Sequence, residues 1–500
     1  MAQAGKVWLV GAGPGDVGLL TRKGYQVLQD ADVVVYDSLI GDSLLALLPD
    51  HTEKINVGKR ASNHTMPQEK INELLLNKAQ EGKKVIRLKG GDPSLFGRGG
   101  EELELLTEYQ VPFEIVPGVT SSIAVPAYNG IPVTHRDFTS SLHIITGHKR
   151  AGQGYDIDFD ALVRTKGTLV FLMGVSSLGD ICRGLLSAGM DADMPAAILQ
   201  QGTTAGQKRI VATVSTLEEE VKKCRIETPA IIVVGKVCRL ADSFAWYEKL
   251  PLAGAKILVT RPKDLISTMS DRLRKAGAEV LEMPAISAEP IPDNERLQNA
   301  LSQMETYQWL VFTSPTGVRI FFDEFLRSGR DLRSLAKLKI AVIGEGTKNE
   351  LKNRGLIADL IPEIYDGEHL GLALAKECRA GDRILIPRAK IGNQELIQCL
   401  DGFEIEDIPT YDTIPVRQSE LDLAGMVERG EITCAAFTSS SSVRAFVDAN
   451  PGLAFCKVRA ACIGKQTRAT ADKAGMQTWM ADKATMDSLL ELIMQMHAEK

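Results

Sequence analysis

The chain has 500 residues, 44% hydrophobic and 24% charged, which is ordinary globular composition and too much for one hydrophobic core. No apolar run reaches the roughly 18–20 residues that span a bilayer, and Met1 to Lys6 is too short a lead for a signal peptide. A net charge of −6 argues against general nucleic-acid binding, so a cytoplasmic protein with no nucleic-acid or membrane partner is expected.

In chain order, Val7 to Val10, Val33 to Tyr36, Val85 to Leu88, Leu169 to Met173 and Ile231 to Val234 are β-branched or apolar runs that read as buried strands. Thr21 is placed to cap a helix through Leu28, and Pro67 to open one through Ala79. The alternation predicts an α/β fold, largely parallel. Gly118 to Thr134, with Pro126 and Pro132, reads as the join between lobes at about 1–118 and 135–245. Pro251 and Gly254 mark a linker over 246–255, and Lys256 starts a new strand. The 8 cysteines form no C-x-x-C and the 7 histidines no ligand spacing, so reduced core cysteines and no metal are expected.

The second half contains a repeat of three units in one order. Ile257 to Pro262 matches Ile384 to Ala389, Phe312-Thr313-Ser314 matches Phe437-Thr438-Ser439, and Ala341 to Gly344 matches Ala461 to Gly464. Two similar α/β lobes with a cleft between them follow.

Three loops in the first half carry chemistry. Gly11-Ala12-Gly13-Pro14-Gly15-Asp16 follows a strand, as does Lys89-Gly90-Gly91-Asp92-Pro93, and Gly118-Val119-Thr120-Ser121 follows Val116. Glycine lets backbone N–H groups approach a ligand. A dinucleotide fingerprint needs a small residue where Asp16 stands, and Pro14 removes an N–H, so a nicotinamide or flavin site is disfavoured. Asn56-Val57-Gly58-Lys59-Arg60 and Phe96 to Glu102 add charged groups.

These motifs, from about Lys6 to Arg239, resemble the uroporphyrinogen III C-methyltransferases, which bind S-adenosylmethionine between two α/β lobes. The resemblance implies that Pro14, Gly90, Gly91, Asp92, Leu95, Thr120, Ser121, Met173, Gly202 and Ala230 line the cofactor site. It leaves the base open between Asp37, with Lys59 as donor, and Arg98, oriented by Glu101. Arginine stays protonated, which favours Arg98 as a clamp on substrate carboxylates, helped by Lys59 and Arg60. A homodimer through this half is also implied. Core methionine and strand-end aspartate are the plain alternatives for Met173 and Asp37.

From about Lys256 onward the repeat resembles uroporphyrinogen III synthase, a cofactor-free two-lobed α/β fold. Carried over, 254–288 plus 414–500 form one lobe and 289–413 the other, within a domain over 256–500. Tyr411 matches the tyrosine proposed to assist loss of hydroxyl from hydroxymethylbilane. Thr313, Ser314, Thr347, Ser439 and Thr467 are candidates to hold substrate carboxylates, with helix capping as their alternative role. Together the resemblances imply a bifunctional enzyme that makes uroporphyrinogen III and methylates this small tetrapyrrole at C2 and C7 to precorrin-2, on the siroheme and cobalamin branch. The rival is a methyltransferase carrying an inactive synthase-like binding module.

Overall fold

A computed structural model describes residues 5–49, 51–58, 66–147, 157–260, 263–283, 286–392, 394–415 and 421–499. Four five-stranded sheets divide the chain into two α/β pairs of lobes. No described helix is long and apolar enough to cross a membrane.

The first sheet holds β1 (Lys6–Gly11), β2 (Val33–Tyr36), β3 (Glu53–Asn56), β4 (Lys84–Lys89) and β5 (Phe113–Val116), all parallel in the order β3-β2-β4-β1-β5. The continuous apolar runs of β1 and β2 are explained by helices on both faces. The helix Arg22–Gln29 after β1 packs Leu28 with Val10 and Val34 on one face. The helix Gly99–Glu108 after β4 packs Leu106 with Val7, Leu9 and Val85 on the other. Adjacent β1 and β4 therefore send their connections to opposite faces. Such a switch point forms the crevice, at the carboxyl ends of the strands, where open α/β sheets bind ligands.

The second sheet holds β6 (Leu142–Thr146), β7 (Thr168–Leu172), β8 (Pro195–Gln200), β9 (Lys208–Thr213) and β10 (Ala230–Val234), in the order β6-β7-β10-β8-β9. Only β6 and β7 run parallel; the other three pairings are antiparallel, which corrects the largely parallel expectation for this lobe. The short connection from β8 to β9 permits a hairpin but not a parallel crossover. The lobe join contains the helix Ser121–Tyr128, with Pro126 inside it.

Among the described residues, ten further strands build the second half: β11 (Lys256–Val259), β12 (Glu279–Glu282), β13 (Ile286–Pro290), β14 (Trp309–Phe312), β15 (Lys339–Val342), β16 (Arg383–Ala389), β17 (Glu404–Pro415), β18 (Cys434–Phe437), β19 (Arg459–Cys462) and β20 (Gln477–Met480). The third sheet is all parallel, β12-β11-β18-β19-β20. The fourth is β13-β17-β16-β14-β15, parallel except for the antiparallel pair β13 and β17. The chain leaves the third sheet after β12 and returns to it after β17. The repeat has a plain structural basis: each Thr-Ser strand, β14 or β18, lies beside the first strand of the other copy, β16 or β11.

The stretch between the halves is packed. The Trp246 indole N–H donates to the Ala127 carbonyl at 3.0 Å, and the Tyr247 hydroxyl donates to the Gly277 carbonyl at 3.2 Å. Leu252 and Ala255 are buried in one cluster with Ile257 and Val259. A C-terminal fragment starting at Gly254 is expected to be less stable than one starting at Pro251 by about 2–5 kcal/mol, the range for emptying a buried leucine site. Equal melting temperatures for the two fragments would show that Leu252 contributes nothing.

Candidate functional site

The crevice of the first half is made of backbone packed on backbone. Gly13 and Gly91 exchange N–H···O bonds of 3.2 and 2.8 Å, and the Ala12 N–H donates to the Lys89 carbonyl at 2.8 Å. A Cβ on Gly11 would lie 2.5 Å from Gly118 Cα, so no other residue fits there unshifted. Asp92 ties two loops together, accepting from Ser94 N at 2.8 Å and from Gly118 N at 2.9 Å. Thr120 caps the helix Ser121–Tyr128 through Ser122 N, and Gly91 lies against the first residues of that helix. Pro14, Gly90, Gly91, Asp92, Thr120 and Ser121 are therefore brought together around the β1–β4 crevice.

Asp16 joins the two lobes. Its carboxylate accepts from Gly18 N at 2.7 Å and from the Tyr128 hydroxyl at 2.7 Å, and its N–H donates to Thr203 Oγ1 at 3.1 Å. Burial, followed by this bond to Asp16, raises the Tyr128 phenol above its ordinary range. From the second lobe, Gly202 sits so close to Val125 that a Cβ would fall 2.3 Å from Val125 Cγ1. Ala230 pairs with Gln200, and Phe171 with Ile232, so Met173, Gly202 and Ala230 lie at one end of the sheet. Met173 is 52% exposed with φ +55°, which removes the core-methionine alternative. Leu95 is half-buried against the second lobe's apolar cluster.

Asp37 follows β2 at the same end of the first sheet. Its Oδ1 accepts from Leu39 N at 3.1 Å, and its Oδ2 lies 3.6 Å from Arg87 Nη2. Arg98, at φ +56°, donates through Nε and Nη2 to the two Glu101 oxygens at 2.9 and 2.5 Å. This bond raises the guanidinium further and holds the Glu101 carboxyl below its usual range. Lys59 and Arg60 lie outside the described residues. Sequence reasoning gave no role to Arg87, Lys89 and Glu102, which are buried beneath these groups. The available signal was a pair of cations two residues apart inside an apolar strand.

In the second half a cleft of about 1870 Å³ lies between the lobes and is lined by Thr313, Ser314, Thr347, Ser439 and Tyr411. Thr467, 4% exposed, does not line it. Tyr411 is buried in β17, and its hydroxyl shares a 2.8 Å hydrogen bond with Ser314 Oγ. Ser314 Oγ also accepts from Gly317 N, and Ser439 Oγ accepts from Ser442 N, so both cap helices. The first turns of the helices Pro315–Arg327, Glu345–Asn353, Ser440–Ala449 and Met486–Ala498 all reach the lining. Positive helix ends thus face the cleft from both lobes. Half-exposed Tyr365, laid over Gly344, and exposed Ile391 add apolar surface that sequence reasoning missed.

Two family models match. That of the tetrapyrrole (corrin/porphyrin) methylases covers residues 6–218, and that of uroporphyrinogen-III synthase HemD covers residues 267–491. A porphyrin biosynthesis protein HemD of Ruminiclostridium josui is 46% identical over 98% of this chain and 98% of its own. A uroporphyrinogen-III C-methyltransferase of Bacillus subtilis is 41% identical over 71% of this chain and 73% of its own. Among solved structures, a uroporphyrin-III C-methyl transferase from Thermus thermophilus complexed with S-adenosyl homocysteine is 42% identical. It is matched over 47% of this chain and 99% of its own, with a TM-score of 0.41.

Proposed function

Because the chain belongs to the family of porphyrin biosynthesis proteins that join a tetrapyrrole methylase to a uroporphyrinogen-III synthase HemD domain, we propose that it is bifunctional. The C-terminal half closes hydroxymethylbilane to uroporphyrinogen III. The N-terminal half methylates that product at C2 and C7 with S-adenosylmethionine, giving precorrin-2 for the siroheme and cobalamin branch. One observation carries the reading: a crevice at a topological switch point and a two-lobed cleft lined by helix N-termini occur in one chain.

The residues of the first crevice fit the cofactor. Gly90, Thr120 and Ser121 offer backbone groups, Gly91 carries no side chain to block the approach, and exposed Met173 offers apolar surface at the facing end of the second sheet. When bound, S-adenosylmethionine supplies a methyl group already activated on a sulfonium, so the protein mainly aligns the reactants. The ring carbon gains a C–C bond as the S–CH3 bond breaks; it carries no hydrogen of its own, so the cationic macrocycle must release a proton from elsewhere on the ring. Asp37 is the acceptor in this reading, because Glu101 keeps Arg98 charged and a charged guanidinium has no lone pair to offer. Arg98 then holds a substrate carboxylate.

Arg98→Lys keeps the charge but loses the planar fork. It is expected to lower kcat/KM for uroporphyrinogen III about tenfold or more, with S-adenosylmethionine affinity unchanged. A calorimetric affinity that falls in step with turnover would place Arg98 in the cofactor site instead.

In the second half the enzyme folds a flexible polyanion, and the starts of the helices Glu345–Asn353 and Ser440–Ala449, one in each lobe, supply N–H donors for its carboxylates. Tyr411 is the candidate acid for loss of hydroxyl. We place the working form as a homodimer through the first half, which light scattering checks. Product analysis tests the whole reading. The full chain with hydroxymethylbilane should give uroporphyrinogen III, and precorrin-2 once S-adenosylmethionine is added. Isomer I as the sole macrocycle would leave the second half an inactive binding module.

A further inference from the structure

The first sheet contains a charge cluster that the methyl-transfer reading leaves unused. Arg87 and Lys89 alternate with Val85 on one face of β4 and are buried there, while Glu102 in the helix Gly99–Glu108 is 0% exposed. Glu102 Oε1 accepts from Arg87 Nε at 3.0 Å, Lys89 Nζ at 2.9 Å and Gln68 Nε2 at 3.2 Å. Glu102 Oε2 is buried with no hydrogen-bond partner among the described residues. Burial, with Arg87 beside it, lowers the Lys89 ammonium from its ordinary range. Such a cluster is poor economy for stability, since apolar residues of similar size would serve as well or better.

Its geometry bears on Asp37. The Arg87 guanidinium is anchored by Nε to Glu102 and by Nη1 to the carbonyls of Val35 and Leu88, at 3.3 and 3.1 Å. Its Nη2 stops 3.6 Å from Asp37 Oδ2, an ion pair that stays outside hydrogen-bond reach. A direct arginine–carboxylate hydrogen bond there would occupy the oxygen and lower its basicity further.

We infer that Glu102 is a positioning residue for methyl transfer: it holds Arg87 back from Asp37, leaving the Asp37 carboxylate an oxygen for the proton that the macrocycle releases. The inference rests on the reading of Asp37 as acceptor. In Glu102→Gln the Arg87 charge loses its counter-ion, and the guanidinium closes on Asp37. In Glu102→Gln/Lys89→Met one charge of each sign is removed, so the burden on folding is relieved while Arg87 is still released toward Asp37.

The test uses the full chain with uroporphyrinogen III and S-adenosylmethionine, and measures kcat, KM, cofactor affinity by calorimetry and melting temperature. Both variants should lower kcat about 10- to 100-fold, part of the ~10²–10⁴ that a positioned base contributes. KM and cofactor affinity should stay within about twofold, because binding groups are untouched. In the double variant the melting temperature should recover while kcat does not. A double variant whose melting temperature and kcat are both normal overturns the inference and assigns the cluster to folding alone, as does cofactor affinity falling in step with kcat. Full activity in Asp37→Asn overturns the reading beneath. An inactive Asp37→Asn beside active Glu102 variants overturns the inference only.

Discussion

An alanine in place of Gly118 is expected to lower methyl transfer about 100-fold or more while synthase activity is unchanged, since misplacement by about 1 Å can cost ~10²-fold. The added Cβ would stand 2.2 Å from the Gly91 carbonyl oxygen and 2.6 Å from Gly11 Cα. Both neighbours are backbone, so neither can swing aside as a side-chain tip would. Gly118 N also donates to Asp92, and Gly91 exchanges hydrogen bonds with Gly13. One methyl group therefore pushes apart all three loops that form the crevice floor. Overpacking of this kind typically costs ~1–3 kcal/mol, which the fold can survive but an aligned cofactor cannot. Gly41→Ala is the control, because Gly41 has open space within 4 Å. Calorimetry decides: wild-type affinity for S-adenosylmethionine in Gly118→Ala would remove these loops from the cofactor site.

The sequence made some of this legible. Strands β1, β2 and β4 could be read because a strand covered on both faces needs a continuous apolar run. The same run carries no direction, so the antiparallel pairings of β10 and β8 could not be foreseen. The Thr-Ser and Ile-Gly repeat placed capping groups at helix starts, because a strand entering a helix needs an N-cap. It also suggested Thr467 by analogy with Thr347, yet only Thr347 lines the cleft. Met173 was undecided because a strand end looks alike whether it enters a core or a cleft; its exposure and positive φ place it outside the core. Glu102 stood in a quoted motif, but its partners Arg87 and Lys89 lie on another element, and burial of charge is invisible until the sheet is assembled.

Replacing Tyr411 with phenylalanine is expected to slow the synthase on the order of 10²-fold, the low end of what one lost general acid costs, and to leave methylation of supplied uroporphyrinogen III untouched. Tyr411 lies in β17, the strand after which the chain crosses back to the other lobe, and it lines the large cleft. Its hydroxyl is 2.8 Å from Ser314 Oγ, while that oxygen already accepts from Gly317 N. A phenol is protonated at neutral pH and can donate either to Ser314 or to a departing hydroxyl. Phenylalanine keeps the ring that fills β17's packing, so folding should lose only about 0.5–1.5 kcal/mol for the hydrogen bond. Departure of hydroxyl from hydroxymethylbilane is assisted by the pyrrole itself, so folding of the polyanion carries the rest of the catalysis and some activity should remain. The measurement is steady-state kcat with hydroxymethylbilane, beside the melting temperature. A Tyr411→Phe chain with unchanged kcat would reduce Tyr411 to packing and pass the search for an acid to the hydroxyls of Thr347 and Ser439.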